Sequence, residues 1–440
     1  MSDAGWQPTA RCTMSQKTLK VTISGTGFAG DYTAGTYSMM PHKNGVQIDL
    51  AGVVSGRLEN AQRFAEQHGI RRAYATHQEM LDAAQTDIDN ICCANFAHGP
   101  YCMEAAAAGV PVIVLEKPPV IWPGFPDGRT ADAGTRKRET MAYLTEVLDA
   151  VRTGGSKLLY AEDFVYFDGI KGIVELLIEA RSNGKGKVLY QRGVCAHQGS
   201  HAPAYDTPSK SGGGALFNKA CHPLGPALYL KQVEGILNGT GPIRPVRVSA
   251  AALQILKHQS KSSGEHFRVM QNVDDFGRIT VVFEDDTIAE VIGHDLSISG
   301  IRNEFSVITD FAQYDLRVNP NNEHELFLPD AANAGNLLVR EKLPTSQGTS
   351  FPRPNQFYSH GYVNEMSDAV DCVLKSDRYP QSGAMMAWDT MAVLMASYES
   401  SDAGGGFVDI AEYTLHGRDF TESEVPDPHR FGSVFQRVRS

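Results

Sequence analysis

Cysteine is scarce: the seven residues are odd in number, show no C-x-x-C spacing, and include the adjacent Cys92 and Cys93 inside an apolar strand-like run. That usage excludes a disulfide framework and a C-x-x-C metal or redox motif, and reads as reduced core thiols. Long apolar runs are also missing. None approaches the roughly 20 residues that span a bilayer, and Met1 to Lys20 lack the apolar core of a secretory signal. Basic residues are outnumbered, 40 Lys and Arg against 51 Asp and Glu, for a net charge of −11, which opposes adhesion to nucleic acid and anionic lipid. These absences exclude nucleic-acid and membrane partners, and the expected location is cytoplasmic.

What is present is an ordinary globular composition, 42% hydrophobic and 21% charged over 440 residues, enough for two or three domains. From Leu19 to about Tyr160, short β-rich runs alternate with amphipathic helices, the pattern of a parallel sheet covered on both faces. Strands are expected at Leu19–Ser24, Val46–Val54, Arg72–Tyr74, Asp89–Ala94, Pro111–Leu115 and Lys157–Tyr160, and helices at Glu59–His68, His98–Ala108 and Arg136–Arg152. The Pro-, Gly- and Asp-rich stretch from Pro118 to Gly134 predicts a surface excursion, a lid or an insertion. Beyond Glu162 a helix at Ile170–Ser182 precedes strands at Val188–Val194, Val246–Leu253, Gly277–Phe283, Thr287–Gly293 and Glu304–Phe311. These predict a largely antiparallel sheet with helices on one face, closed by helices at Tyr362–Leu374 and Gly383–Ser397. Trp122 and Trp388 read as core or interface aromatics.

The run Gly25-Thr26-Gly27-Phe28-Ala29-Gly30 follows the first strand directly and opens a helix, the context that a dinucleotide-binding G-x-G-x-x-G requires. Gly25 permits the tight turn, and Gly27, followed by Phe28 and Ala29, lets the backbone approach a pyrophosphate. Gly30 lets helix and strand pack closely, and the helix N-terminus stabilises the negative charge. The implied cofactor is NAD or NADP. At the end of the second strand, Val53-Val54-Ser55-Gly56-Arg57 puts Ser55 where a ribose-binding acid often stands and Arg57 two residues on, which favours NADP.

Further motifs fall in order along the chain. Asn95-Phe96-Ala97-His98 follows the fourth strand, Glu116-Lys117-Pro118 follows the fifth, and Ser211-Gly212-Gly213-Gly214-Ala215-Leu216 leads into Cys221-His222-Pro223, with closing helices from Tyr362 to Ser400. Together they resemble the Gfo/Idh/MocA oxidoreductases, the glucose-fructose oxidoreductase and inositol dehydrogenase superfamily. The resemblance implies an α/β fold: an N-terminal Rossmann parallel sheet and a C-terminal α+β domain built on a largely antiparallel open sheet that often mediates homo-oligomers. Residues 18–155 would then bind the cofactor, and 156–411 would bind substrate and oligomerise. Residues 1–17 and 412–440 would be tails, the second wrapping a neighbouring subunit.

The same resemblance implies that Asn95, His98, Glu116 and Lys117 adjoin the cofactor, that Lys117 is the active-site lysine and that His222 is the catalytic histidine, acting on a small carbohydrate or cyclitol. Residue chemistry agrees. Oxidising a carbinol requires loss of the hydroxyl proton, an imidazole titrates near neutral pH, and an ammonium stabilises developing alkoxide charge. Asn218 stands where the family usually has Asp. It cannot take a proton, but it can orient a sugar hydroxyl.

Asn218 to Pro226 is also similar to the superfamily's NAD-dependent glycoside hydrolases, which oxidise a ring carbon transiently, eliminate the aglycone and return the hydride. Such a cycle needs a second base, for which His197, His201, Tyr205, Tyr166 and His360 are candidates. Tyr166 is expected to face the cleft, and Gln191–Lys210 to form a loop over the sugar pocket, with Tyr205 and Lys210 offering hydroxyl or anion contacts. His197 and His201 are four apart, yet Gly199 and Pro203 argue against a helix that would aim both at a metal, so no metal is expected. A noncatalytic cofactor-binding sensor is a third reading.

Overall fold

In the computed structural model, which describes residues 17–40, 46–200, 202–258, 269–298, 300–319, 326–328, 348–350 and 360–431, the apolar runs of the N-terminal part become strands buried on both faces. Parallel strands covered by helices require this. β1 (Lys17–Ser24), β2 (Val46–Val54), β3 (Ala73–Tyr74), β4 (Ile88–Ile91), β5 (Val112–Glu116) and β6 (Lys157–Ala161) lie in the order β3-β2-β1-β4-β5-β6, all parallel. The strand order reverses at β1, so the crevice beyond the carboxyl ends of β1 and β4 is the switch point at which such sheets bind ligands.

Helices α1 (Phe28–Met39), α2 (Leu58–His68), α3 (His77–Ala84), α4 (His98–Ala107) and α5 (Ala133–Thr153) accompany these strands. α2 turns Ala61, Phe64 and Ala65 inward and ends at Gly69 in the left-handed region, the conformation glycine adopts without a Cβ penalty. Thr76 and Asp132 cap α3 and α5 by accepting from the N–H groups of Glu79 and Thr135. The excursion expected after Pro118 begins buried and then runs along the surface from Pro126 to Thr130. Val120, Ile121 and Trp122 are buried, and the Trp122 indole donates to Glu139.

The second sheet runs β12-β11-β7-β10-β9-β8, from β7 (Val188–Ala196), β8 (Pro245–Leu253), β9 (Phe276–Phe283), β10 (Ile288–His294), β11 (Arg302–Thr309) and β12 (Gln313–Asn319), with Val408–Asp409 paired beyond β8. Among its described pairings only β7 with β10 is parallel. α6 (Asp168–Arg181) and α7 (Cys221–Asn238) pack together, α7 lying against β7. α7 is buried nearly all round, as a helix inside a large core is. α8 (Tyr362–Leu374) returns to the first sheet: Met366, Ala369, Val370 and Cys372 share a core with Leu19, Val21, Ile88, Val112 and Val114. α9 (Ala384–Asp402), also buried nearly all round, is wedged between β8 and α5 and joins the two halves.

Residues 412–431 make contacts with their own chain. Trp388 donates its indole N–H to the Tyr413 carbonyl, Arg418 pairs with Asp149, and Arg152 pairs with Glu424. Residues 1–16 and 432–440, the rest of the expected tails, lie outside the described residues. No described helix is long and apolar enough to cross a membrane.

The three motif glycines do different things. Gly25 has φ 119°, and a Cβ there would strike the Cys92 carbonyl; a Cβ at Gly30 would strike the carbonyl of Gly25 itself; a Cβ at Gly27 would meet nothing within 4 Å. Gly30→Ala is therefore expected to destabilise by about 1–3 kcal/mol, whereas Gly27→Ala should leave the melting temperature of the ligand-free protein unchanged. Paired thermal denaturation curves check both.

Candidate active site

Two adjoining cavities open at the carboxyl ends of the first sheet. The first, of about 500 Å³, is lined by Gly25, Gly27, Phe28 and Ala29 from the β1–α1 turn, by Ser55 and Gly56 after β2, by Asn95, His98 and Tyr101, and by Glu116 and Lys117 after β5. A turn with open space at Gly27, at the start of a helix, is the cradle that a pyrophosphate needs. Gly30 serves from behind, by admitting the Gly25 carbonyl. Ser55 holds Thr26, hydroxyl to hydroxyl, at 3.1 Å. Arg57, the N-cap of α2, is exposed and lines neither cavity. His98 is buried between the carbonyls of Pro118 (2.6 Å from Nδ1) and Cys93 (3.2 Å from Nε2), and burial holds its pKa low. A neutral ring donates to one of them, so His98 braces the Lys117 loop against the loop after β4.

The second cavity, of about 380 Å³, shares a wall with the first, formed by Cys93, Asn95, Lys117, Asp163, His222 and Tyr362 among others. On this wall Lys117 donates from Nζ to the carbonyl of Asn218 at 3.1 Å. Burial disfavours its charge, but nearby Cys221, Glu116 and Glu162 outweigh burial and raise its pKa. His222 opens α7 at its second residue and presents Nδ1 to Glu162 at 2.9 Å and to Asp163 at 3.3 Å, with the Phe164 ring stacked on it. Burial again opposes the charge, but the Glu162 carboxylate prevails and pushes His222 up to about 9. The carboxylates thus favour the cationic form of the imidazole. Burial raises Glu116 to about 7 and raises Glu162 as well.

Glu162 and Asp163 were not among the expected site residues, although an acidic pair directly after a strand of a parallel sheet marks the end where such sheets bind ligands. Asn218 reaches the second cavity, but its amide is occupied. Nδ2 donates to the Gly213 carbonyl at 2.7 Å, and Oδ1 accepts from Asn95 at 3.3 Å, so it pins the glycine-rich loop to the loop after β4. Tyr166 does not face the cleft. It is 1% exposed, its hydroxyl donates to Asp368 at 2.9 Å and accepts from the Ser382 N–H at 3.2 Å, and it lines neither cavity. His197, Tyr205, Lys210 and His360 do line the second cavity, and His201 lies outside the described residues.

Lys219, which also lines that cavity, belongs to a second buried charge pair, with Asp295 at 2.7 Å, and donates to the Tyr205 hydroxyl at 2.8 Å. Glu162, Cys221 and His222 bring ligand atoms within 4.8 Å of one another, and burial pushes the Cys221 thiol up. Because Lys219 is 3% exposed, Asp295→Asn should strand its charge and cost on the order of 3 kcal/mol. A lowered urea midpoint would report this, and an unchanged one would refute the pairing argument.

Residues 19–126 match the Gfo/Idh/MocA family, described as an oxidoreductase family with an NAD-binding Rossmann fold. D-glucoside 3-dehydrogenase of Escherichia coli (strain K12) is 26% identical over 220 residues, 49% of this chain, and the chain spans about half of that relative's length, 55%. GenD2 from gentamicin A biosynthesis, whose structure is a complex with NAD, superposes with a TM-score of 0.70 at 21% identity, over 92% of this chain and 99% of its own. Scyllo-inositol dehydrogenase from Lactobacillus casei, with bound NAD(H) and scyllo-inositol, gives 0.65 at 14% identity, over 90% and 100%. At these identities the superpositions speak for the fold. Residues 19–126 thus match the Gfo/Idh/MocA oxidoreductase family in sequence, and both sheets share the fold of these dehydrogenase structures.

Proposed function

We propose that this protein is an NAD(P)-dependent oxidoreductase that moves hydride between a carbinol of a carbohydrate or cyclitol and the nicotinamide. The observation that carries the reading is that Lys117 and His222 stand on the wall common to the two cavities. The dinucleotide, when bound, accepts or returns the hydride. The protein's part is to hold the carbinol and manage its proton. Lys117, kept cationic, donates to the carbinol oxygen and stabilises alkoxide character. His222 exchanges the proton through Nε2, since Nδ1 is committed to Glu162. Asn303, Lys210, Lys219 and Tyr205 supply donors and acceptors around the cavity, which suits a ring bearing several hydroxyls. The activities named for the glucoside and inositol dehydrogenases support the same substrate class.

A glycoside-cleaving cycle needs a second base. Burial and then Asp295 push the Tyr205 phenol well above its usual range, which makes it a donor, while burial holds the His360 pKa low and makes His360 the group that would serve such a cycle. Purified protein with NAD⁺ or NADP⁺ and a panel of sugars, cyclitols and glycosides separates the readings. Accumulating reduced nicotinamide is expected; aglycone release without net reduction would point to the glycosidase, and neither across the panel to a sensor. Lys117→Ala should lower kcat by about 10²-fold or more with dinucleotide binding retained.

The pH dependence follows from the sign of the His222 shift. A base with a raised pKa is available only above it, so carbinol oxidation should climb towards pH 9 and ketone reduction should prevail below. Glu162→Gln removes the charge that raises it, and the midpoint of the oxidation profile should move down towards the usual 6.5. The dinucleotide cavity has Ser55 in place of a ribose-binding acid, so we propose that NADP is accepted. Ser55→Asp should cut kcat/KM with NADP by about tenfold or more while sparing NAD.

A further inference from the structure

Glu365 belongs to none of the motifs, yet α8 delivers it to the dinucleotide cavity. It stands in the first turn of that helix, three residues after Tyr362, and is 1% exposed. Ser55 and Gly56 follow β2 on one side of the switch point, whereas Glu365 adjoins Glu116 and Ala161, which end β5 and β6 on the other. Hydride transfer requires reacting atoms about 3–3.5 Å apart, so a nicotinamide ring must lie against the wall that the two cavities share. Tyr362 is part of that wall. Glu365, one helical turn behind it, lines the dinucleotide cavity alone.

Its Oε1 is buried without a hydrogen-bond partner among the described residues. Buried polar atoms are rarely left so unless a ligand, ion or water completes them. Burial, and after it the carboxylates Asp163, Glu116, Glu162 and Asp368, hold the Glu365 carboxyl far above the usual carboxylate range, so it carries its proton and has an O–H to give. The group at hand on a nicotinamide ring that can accept it is the carboxamide oxygen.

We propose that Glu365 is a nicotinamide-recognition residue, which as a carboxylic acid donates a hydrogen bond to the carboxamide oxygen and fixes the orientation in which the ring meets the substrate cavity. This rests on the dinucleotide reading of the cavity. A protonated acid here also satisfies the ring without placing another full negative charge beside Glu116 and Asp163.

Fluorescence titration of the full chain with NADH tests it, with thermal unfolding of each ligand-free variant as the folding control. Glu365→Ala should weaken binding by about tenfold or more, and Glu365→Gln by less than about threefold, because its amide N–H can donate in the same place. The reduced 3-acetylpyridine analogue keeps the ring's carbonyl but lacks the amide N–H groups. It should bind the native protein within about threefold of NADH and suffer the same loss in Glu365→Ala. Unchanged NADH affinity in folded Glu365→Ala would overturn the proposal. So would an analogue that binds the native protein more than about tenfold more weakly than NADH, since Glu365 would then be an ionised acceptor from the amide. If Glu365→Ala does not fold, the analogue and Glu365→Gln decide. Native protein that binds neither dinucleotide would overturn the cavity reading itself.

Discussion

The Lys117 ammonium and the His222 imidazole stand among four carboxyl groups, those of Glu116, Glu162, Asp163 and Glu365, and the rest of the site follows from how that charge is balanced. Lys117 and His222 keep their protons because Glu116 and Glu162 are close, and Glu162 is stable in so buried a place because His222 lies 2.9 Å away. Each charge is tolerable only in the company of the others. The cluster therefore has no independent members. A proton removed from one group is felt by all, which suits a reaction whose chemistry is the loss or gain of one proton alongside a hydride.

The same economy appears where no chemistry is proposed. Lys219 with Asp295, Arg244 with Asp389, and Arg378 with Asp368 are all buried pairs. Arg378 and Asp368 anchor the segment after α8, and Tyr166 completes that knot with its hydroxyl. Sequence reasoning placed Tyr166 in the cleft because it falls where the second domain starts. Its neighbour Asp163 does point there. Three positions along a short 3-10 turn were enough to swing the ring into the core, a rotation that residue type does not encode.

Legibility followed locality. The β1–α1 turn, the strands of the first sheet and α2 could be read because each rests on a local rule: apolar runs, a glycine at a fixed offset, an apolar face every three or four residues. α7 escaped notice because its burial nearly all round leaves no polar face to mark a period, and Pro223, Gly225 and Pro226 resemble a loop. Asn95, Lys117, Asn218 and His222 were found through a resemblance that spans motifs. Glu162 and Asp295 carried no motif at all, and Lys219 lay within a recognised stretch without being singled out; what joins them to the site is pairing across distant elements, which no local window contains.

α8 gives the first sheet a cover that arrives late. The layer over β1, β4 and β5 that includes Met366, Ala369 and Val370 is encoded more than 200 residues after the strands it protects. A nascent chain that has completed all six strands of that sheet still exposes part of its apolar face and has no Tyr362 or Glu365 at the cofactor cavity. The dinucleotide cavity therefore draws on contacts of high sequence separation, and the segment that matches the family, residues 19–126, does not contain the whole of its lining.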